Sequence, residues 1–184
     1  NWDAGNNWQG AVAPSGTDPT DILAFGGDVA TPYTSTNNLA VNPVLINQIQ
    51  LNATDTAATG LSQLISGTVG IAFGGTDPRI VQNGTGAMTI NIPITLRAPL
   101  TFTGDGGTVT LNNAISGAFD ITKSGLSTFR FGTPFTSPVL GPSSNTWVGR
   151  LIIDAGTIRF NNNAEAGRTA LRANPVFLNA ASSM

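Results

Sequence analysis

The chain has 184 residues, enough for one domain with a sizeable core, and 40 % of them are apolar. Charged residues make up only 10 %, against the roughly 25 % of an ordinary globular protein, and the net charge is −2. The scattered Lys and Arg residues form no cluster, which argues against a phosphate-tracking nucleic-acid surface; the absence of His and Cys excludes imidazole acid/base chemistry, Ser-His-Asp triads, thiol nucleophiles, disulfides and ordinary zinc sites within this chain. No apolar run is long enough to span a bilayer and no signal peptide is visible. The chain begins at Asn1 rather than Met and reads as a processed piece of a longer protein.

In chain order, Asn1 to Trp8 places two tryptophans, Trp2 and Trp8, among turn-forming residues. They suit either a sugar-stacking groove or the half-buried cover of an open core end. The cover is the favoured reading, because a stacked β-structure must close its ends and indole combines apolar area with one polar N–H. Residues 13–20 are loop by composition, 21–25 make a short strand ending at Gly26-Gly27, and 31–38 read as loop again. Leu45 to Leu51 alternates, with Ile49 and Leu51 on one face, and 54–59 is a polar connection. Leu64 to Phe73 resumes the strand pattern, and Gly74 to Pro78 turns the chain into a short strand at 79–83. Met88, Ile90, Ile92, Ile94 and Leu96 alternate almost without flaw, with Pro93 pointing outward at a strand break or corner because it lacks a ladder donor.

Leu100-Thr101-Phe102-Thr103 and Thr108-Val109-Thr110-Leu111 flank Gly104 to Gly107. A hairpin explains this pair locally; a solenoid explains it as two faces of one coil joined by a corner. Further runs follow at 119–122, 127–131 and 151–160, separated by Gly, Asn, Ser and Pro. Residues 164–174 have room for a helical turn or two, and 175–178 for a last strand. Short alternating runs broken by turn chemistry, with almost no helical periodicity, point to a β-solenoid or a sandwich, and their regular recurrence favours the solenoid.

The residues 112–163 carry a specific pattern. It comprises Ala114-Ile115-Ser116-Gly117, then Asp120 to Gly132 (DITKSGLSTFRFG), Asn145-Thr146-Trp147-Val148-Gly149, and Ile153 to Phe160 (IDAGTIRF). This run resembles the bacterial autotransporter-associated β-strand repeat, also called the passenger-associated transport repeat, with an extra loop at 133–144 and Trp147 where Tyr is usual. A weaker likeness covers Trp2-Asp3, Asn6-Asn7-Trp8, Ala13-Pro14, Asp21 and Phe25-Gly26-Gly27, and the segment 89–117. The resemblance implies an all-β, right-handed parallel β-helix with little or no helix, exported to the cell surface or released. It names no catalytic residues. On this reading residues 1–184 form a single solenoid domain, with 1–44 as a loop-rich, cap-like entry and 45–184 as the coils.

Parallel β-helices also host polysaccharide-degrading enzymes, so paired carboxylates need weighing. Asp77 with Arg79, Asp105, and Asp120 with Lys123 are the candidates, and turn chemistry accounts for each without catalysis or calcium. Arg130, Arg150 and Arg159 can stack into a stripe, although salt partners or solvation are the commoner fate of such residues. The expectation is therefore a non-enzymatic, cofactor-free structural element at the bacterial surface, a scaffold, stalk or filament subunit that associates with itself or with neighbouring repeats. It neither binds nucleic acid nor inserts into a membrane through this segment. The alternative is an adhesin-type module for glycans or host surfaces. Trp2, Trp8, Val176 and Phe177 are the candidates for the ends, and Phe135 and Trp147 for a binding loop.

Overall fold

The computed structural model describes residues 1–132, 145–160 and 176–178. Apart from one 3-10 turn at Gly5–Asn7, the regular structure of these residues is all β. The first coil comprises β1 (Ile22–Phe25), β2 (Thr34–Asn37) and β3 (Val44–Ile46), and the second β4 (Gln48–Leu51), β5 (Ser62–Gly67) and β6 (Ile71–Phe73). The third holds β7 (Arg79–Gln82), β8 (Ala87–Ile90) and β9 (Ile94–Leu96), and the fourth β10 (Leu100–Thr103), β11 (Thr108–Leu111) and β12 (Ile115–Ser116). After them come β13 (Ile121–Lys123), β14 (Thr128–Phe131), β15 (Leu151–Ile153), β16 (Thr157–Phe160) and β17 (Val176–Leu178).

Equivalent strands of successive coils hydrogen-bond to one another. They build three sheets, in the orders β1-β4-β7-β10-β13-β15-β17, β2-β5-β8-β11-β14-β16 and β3-β6-β9-β12. Every pairing among these strands is parallel. The fold is a parallel β-solenoid. The hairpin is excluded at 100–111, since β10 pairs with β7 and β13 while β11 pairs with β8 and β14.

The period-2 alternation decides which way each side chain faces. Strands β8, β11 and β14 each read half-buried, buried, half-buried, buried. Inward residues stack in register. Leu23, Ile49, Ile80, Phe102 and Lys123 form one column, and Ile65, Ile90, Leu111, Phe131 and Phe160 another. A third runs through Val44, Ile71, Ile94 and Ile115. Residues from all three sheets share one hydrophobic cluster, so each coil extends a single core. Each buried Ile, Leu or Phe contributes roughly 1.5–3 kcal/mol relative to exposure.

The corner between the first and second sheets shows why glycine recurs. Gly104, Gly125 and Gly156 have φ of 98°, 69° and 75°. They also stack: a Cβ on Gly125 would lie 2.6 Å from the Gly104 carbonyl oxygen, and one on Gly156 would lie 2.3 Å from that of Gly125. Conformation and contact both demand glycine there. Pro93 is exposed between β8 and β9, as its missing N–H requires.

Several expectations change. The segment 31–38 read as loop, but Thr34–Asn37 is β2 and pairs with β5; its apolar signal is weak because its inward residue is Asn37. Stacking accordingly begins at Ile22 rather than at residue 45. The runs 45–51, 64–73 and 151–160 are each two strands in different sheets; the last is broken at Asp154–Gly156, because Gly156 takes the positive φ of a corner. The strand expected at 175–178 is β17, paired with β15. The helical turn expected at 164–174 lies outside the described residues.

Candidate functional site

At the N-terminal end, the sequence brings three aromatic rings together. Trp2 is buried (1 % exposed) and stands edge-on to half-buried Trp8, with ring centroids 6.0 Å apart at 86°. Phe25 of β1 lies 5.7 Å from Trp2 and 6.1 Å from Trp8. Both indole N–H groups find acceptors: Trp2 Nε1 donates to Ser35 Oγ at 2.9 Å and Trp8 Nε1 to the Trp2 carbonyl at 2.8 Å. The backbone of the same segment covers strand edges. Trp2 N–H donates to the Thr36 carbonyl on the outer side of β2, and Leu45 N–H on the outer side of β3 donates to the Gly16 carbonyl, with Thr17 bridged to Leu45. Two of the three sheet ends at this pole are thus covered, which removes one acceptor on β2 and one donor on β3 that would otherwise template another chain.

Beside this cluster lies an open cleft of about 460 Å³. Its walls include Trp8, Phe25, Tyr33, Asn7, Thr34 and Ser35, and no charged side chain lines it. Tyr33 is 38 % exposed, and partial burial pushes its phenol above its usual pKa. Its N–H donates to Gln63 Oε1 at 2.6 Å, and Gln63 Nε2 in turn donates to the Asp28 carbonyl at 3.0 Å. This buried amide fixes the cleft wall on two neighbouring coils. Aromatic rings beside amide and hydroxyl groups suit a neutral, hydroxyl-rich ligand.

Trp147 is not a surface platform. It is 4 % exposed, and its Nε1 donates to the Phe119 carbonyl at 2.6 Å. The sequence held the signal: counting back by twos from inward Leu151 reaches Gly149, Trp147 and Asn145, all buried. Asn145 Oδ1 accepts from Ile115 N–H at 2.7 Å, so this segment continues the third sheet beyond β12. Phe135 and the loop 133–144 lie outside the described residues, and Val176 and Phe177 are described only as part of β17.

The acidic candidates are engaged locally. Asp77 pairs with Arg79 two residues on. Asp105 accepts from Leu126 N–H at 2.8 Å across one coil. Asp120 does not pair with Lys123 but with Arg150, accepting from its backbone N–H at 2.8 Å, its Nε at 2.9 Å and its Nη2 at 2.5 Å. These bonds hold the Asp120 carboxyl below its usual range. Asp18, Asp28 and Asp55 accept from threonines in their own or adjoining turns and are lowered by those bonds. Asp21 goes the other way: burial and nearby Asp18 raise it, and its Oδ2 is buried without a partner. Among the described residues, no group of three or more Asp or Glu side chains is placed to hold a metal ion.

Lys123 is the residue whose position alternation dictates and whose chemistry hides it. It follows Ile121 by two, so it faces the core and is fully buried. Nζ donates to the Ser124 and Gly125 carbonyls at 2.5 and 2.7 Å and sits 5.7 Å from the Phe129 ring centroid. Burial lowers its pKa to about 8, partly opposed by Asp105. Gln82, two coils earlier and two residues past the position in register with Lys123, ties its own corner through Nε2 to the Gly84 and Gly86 carbonyls at 2.9 and 2.7 Å. Both side chains buckle a corner from inside. Their role is structural.

No protein-family model, curated protein or solved structure matches the chain. No helix of the described residues is long and apolar enough to cross a membrane. Among the described residues the chain is a parallel β-solenoid with two of the three sheet ends covered at its N-terminal pole.

Proposed function

We propose that the chain is a non-enzymatic structural β-solenoid, a rigid spacer or scaffold within a bacterial surface or secreted protein akin to the autotransporter-associated repeats. One observation carries this reading: successive coils add their inward residues to one unbroken core, while inward Asn47, Gln82 and Lys123 each donate to backbone carbonyls at a corner. Such a stack sets a fixed length per coil and contributes a shape. The carboxylates, held in turns and ion pairs, support the non-enzymatic part.

Self-association that extends the rod is head-to-tail, and at the near pole it has the end of the first sheet to use, because residues 2, 16 and 17 already cover the other two sheet ends. Sedimentation velocity and electron microscopy of the purified chain test this. Rods whose lengths are multiples of one unit, growing with concentration, are expected. Single short units over a broad concentration range would sink the filament reading while leaving the spacer. Protease added to intact cells of the source bacterium tests localisation: digestion is expected, and complete protection contradicts surface display.

The cleft beside Trp8 and Tyr33 favours a second reading, an adhesin-type module taking neutral glycans at that pole. Its test is a glycan array with the chain and with Tyr33→Ala. An array with no binder, or binding indifferent to that change, removes it.

A further inference from the structure

The stretch 112–163 contains three arginines of different fates. Arg150 has a built-in partner, the Asp120 carboxylate. Arg130 and Arg159 have none: among the described residues the ion pairs are Arg79–Asp77 and Arg150–Asp120. The fold nevertheless sets these two arginines directly side by side, because β14 and β16 pair in the register Thr128↔Thr157, Phe129↔Ile158, Arg130↔Arg159 and Phe131↔Phe160.

That register is fixed from inside. Phe131 stacks on Phe160 with centroids 4.9 Å apart and a 20° interplanar angle, and inward Phe129 pairs with Ile158. A slip of one residue would turn the phenyl rings outward, so the arginines have no escape along the strand. Like charges directly opposite one another destabilise a sheet. A bound anion would turn that repulsion into a clamp.

We infer that Arg130 and Arg159, on the outer face of the second sheet, form an anion clamp for a carboxylate or sulfate group of an acidic polysaccharide. Adjacent strands lie about 4.8 Å apart, so two guanidinium forks on neighbouring coils can grip one such group from two sides. The surroundings select the rest of the ligand. Thr128 and Thr157 stand beside the pair, and Thr110 and Thr89 continue the arginine row along the solenoid axis. Threonine hydroxyls donate and accept, which suits sugar hydroxyls along an extended chain. A polyphosphate or an anionic bilayer needs a broader basic surface than two arginines on a chain of net charge −2. The clamp lies on a sheet face rather than at the N-terminal cleft, and it does not depend on the scaffold reading.

The test measures binding of polygalacturonate and of its methyl ester to the full chain at low and high salt. The acidic polymer is expected to bind, weaken as salt rises, and lose at least tenfold in affinity with Arg130→Gln/Arg159→Gln. The methyl ester is expected to bind at least tenfold more weakly. A charge-matched control, Arg79→Gln/Arg97→Gln, is expected to stay within threefold. Arg130→Lys/Arg159→Lys keeps the charge and removes the bidentate fork; it is expected to fall between wild type and the Gln pair, and it stands in for that pair should the Gln variant unfold. Absence of binding, or an equal loss in the control, overturns the clamp. Equal arginine-dependent binding to phosphatidylglycerol vesicles or to single-stranded DNA overturns its assignment to a polysaccharide.

Discussion

The N-terminal pole and the middle of the solenoid are both held by aromatic rings, arranged in different ways. At the pole, Trp8 meets Trp2 at 86° and Phe25 at 74°, edge to face, and each indole N–H has an acceptor. In the middle, Phe102 and Phe129 lie nearly parallel, at 4.6 Å and 4°. The middle rings meet only the next coil, so a ring without a polar handle suffices. The pole must seal a core on one side and meet water on the other, which is a task for Trp. The same stack therefore needs translation in its interior and closure at its end.

The largest effect should come from breaking the interior. Phe129→Ala removes a ring that packs against Phe102 and beneath the Lys123 amine. A loss of about 3–5 kcal/mol is expected, read as a lower urea midpoint. Because the coils are coupled to their neighbours, hydrogen exchange should accelerate on both sides, in β10–β11 and in β15–β16.

Trp2→Ala deletes as large a ring, but at a pole with coils on only one side. Fraying the first coil is an easier route than global unfolding, so the global loss should be near the low end, about 3 kcal/mol. Exchange should quicken in β1 and β2 and remain slow in β13 and β14. Equal protection loss along the whole chain would contradict the distinction between pole and interior.

Next comes the corner tie at Lys123. Lys123→Met leaves the Ser124 and Gly125 carbonyls without their donor and should cost about 1–3 kcal/mol at alkaline pH, where the wild-type amine is neutral and no charging cost is relieved. Lys123→Gln keeps an inward N–H donor and should recover part of that. The amine also gives a pH signature. Its folded pKa, about 8, lies below the ordinary 10.5, so the unfolded chain binds more protons between the two values. Stability should therefore rise with pH from about 8 toward 10.5, and the cost of charging the buried amine is fully present below 8. A neutral amine still has two N–H donors, enough for both carbonyls. Urea unfolding at a series of pH values should show this rise in wild type and not in Lys123→Gln; matching pH curves would refute it.

Much of the solenoid was legible because one rule, alternation, sets both strand and facing direction, as at Met88 to Leu96. What resisted reading were positions where a polar residue occupies an inward place. Asn37 gives β2 too little apolar signal, yet its Nδ2 donates to the Val69 carbonyl at 3.1 Å. Lys123 looked like a partner for Asp120, since charge suggested a surface pair, while its parity with Ile121 placed it inside. Trp147 looked like a platform because indole suits one, and only the parity with Leu151 turns it inward. The N-terminal cleft was half legible: Trp2 and Trp8 were visible, but Tyr33 joins them across the first coil, a proximity that only the three-dimensional winding creates.

The smallest effect tests the comparison on the outer face, where Arg150 is paired and Arg130 and Arg159 are not. Removing one member of a like-charged cross-strand pair relieves repulsion, so Arg159→Gln should stabilise the unliganded chain slightly, by about 0.2–1 kcal/mol at low ionic strength. The gain should fade as salt rises, because the Debye length shrinks from roughly 30 Å at 0.01 M to roughly 3 Å at 1 M. Arg150→Gln should move the other way, since it leaves Asp120 without its guanidinium. Opposite signs in salt-dependent melting temperatures would show that the sheet tolerates the Arg130–Arg159 contact at a cost, whereas a loss of stability in both variants would mean that Arg159 has an attractive role in the unliganded fold.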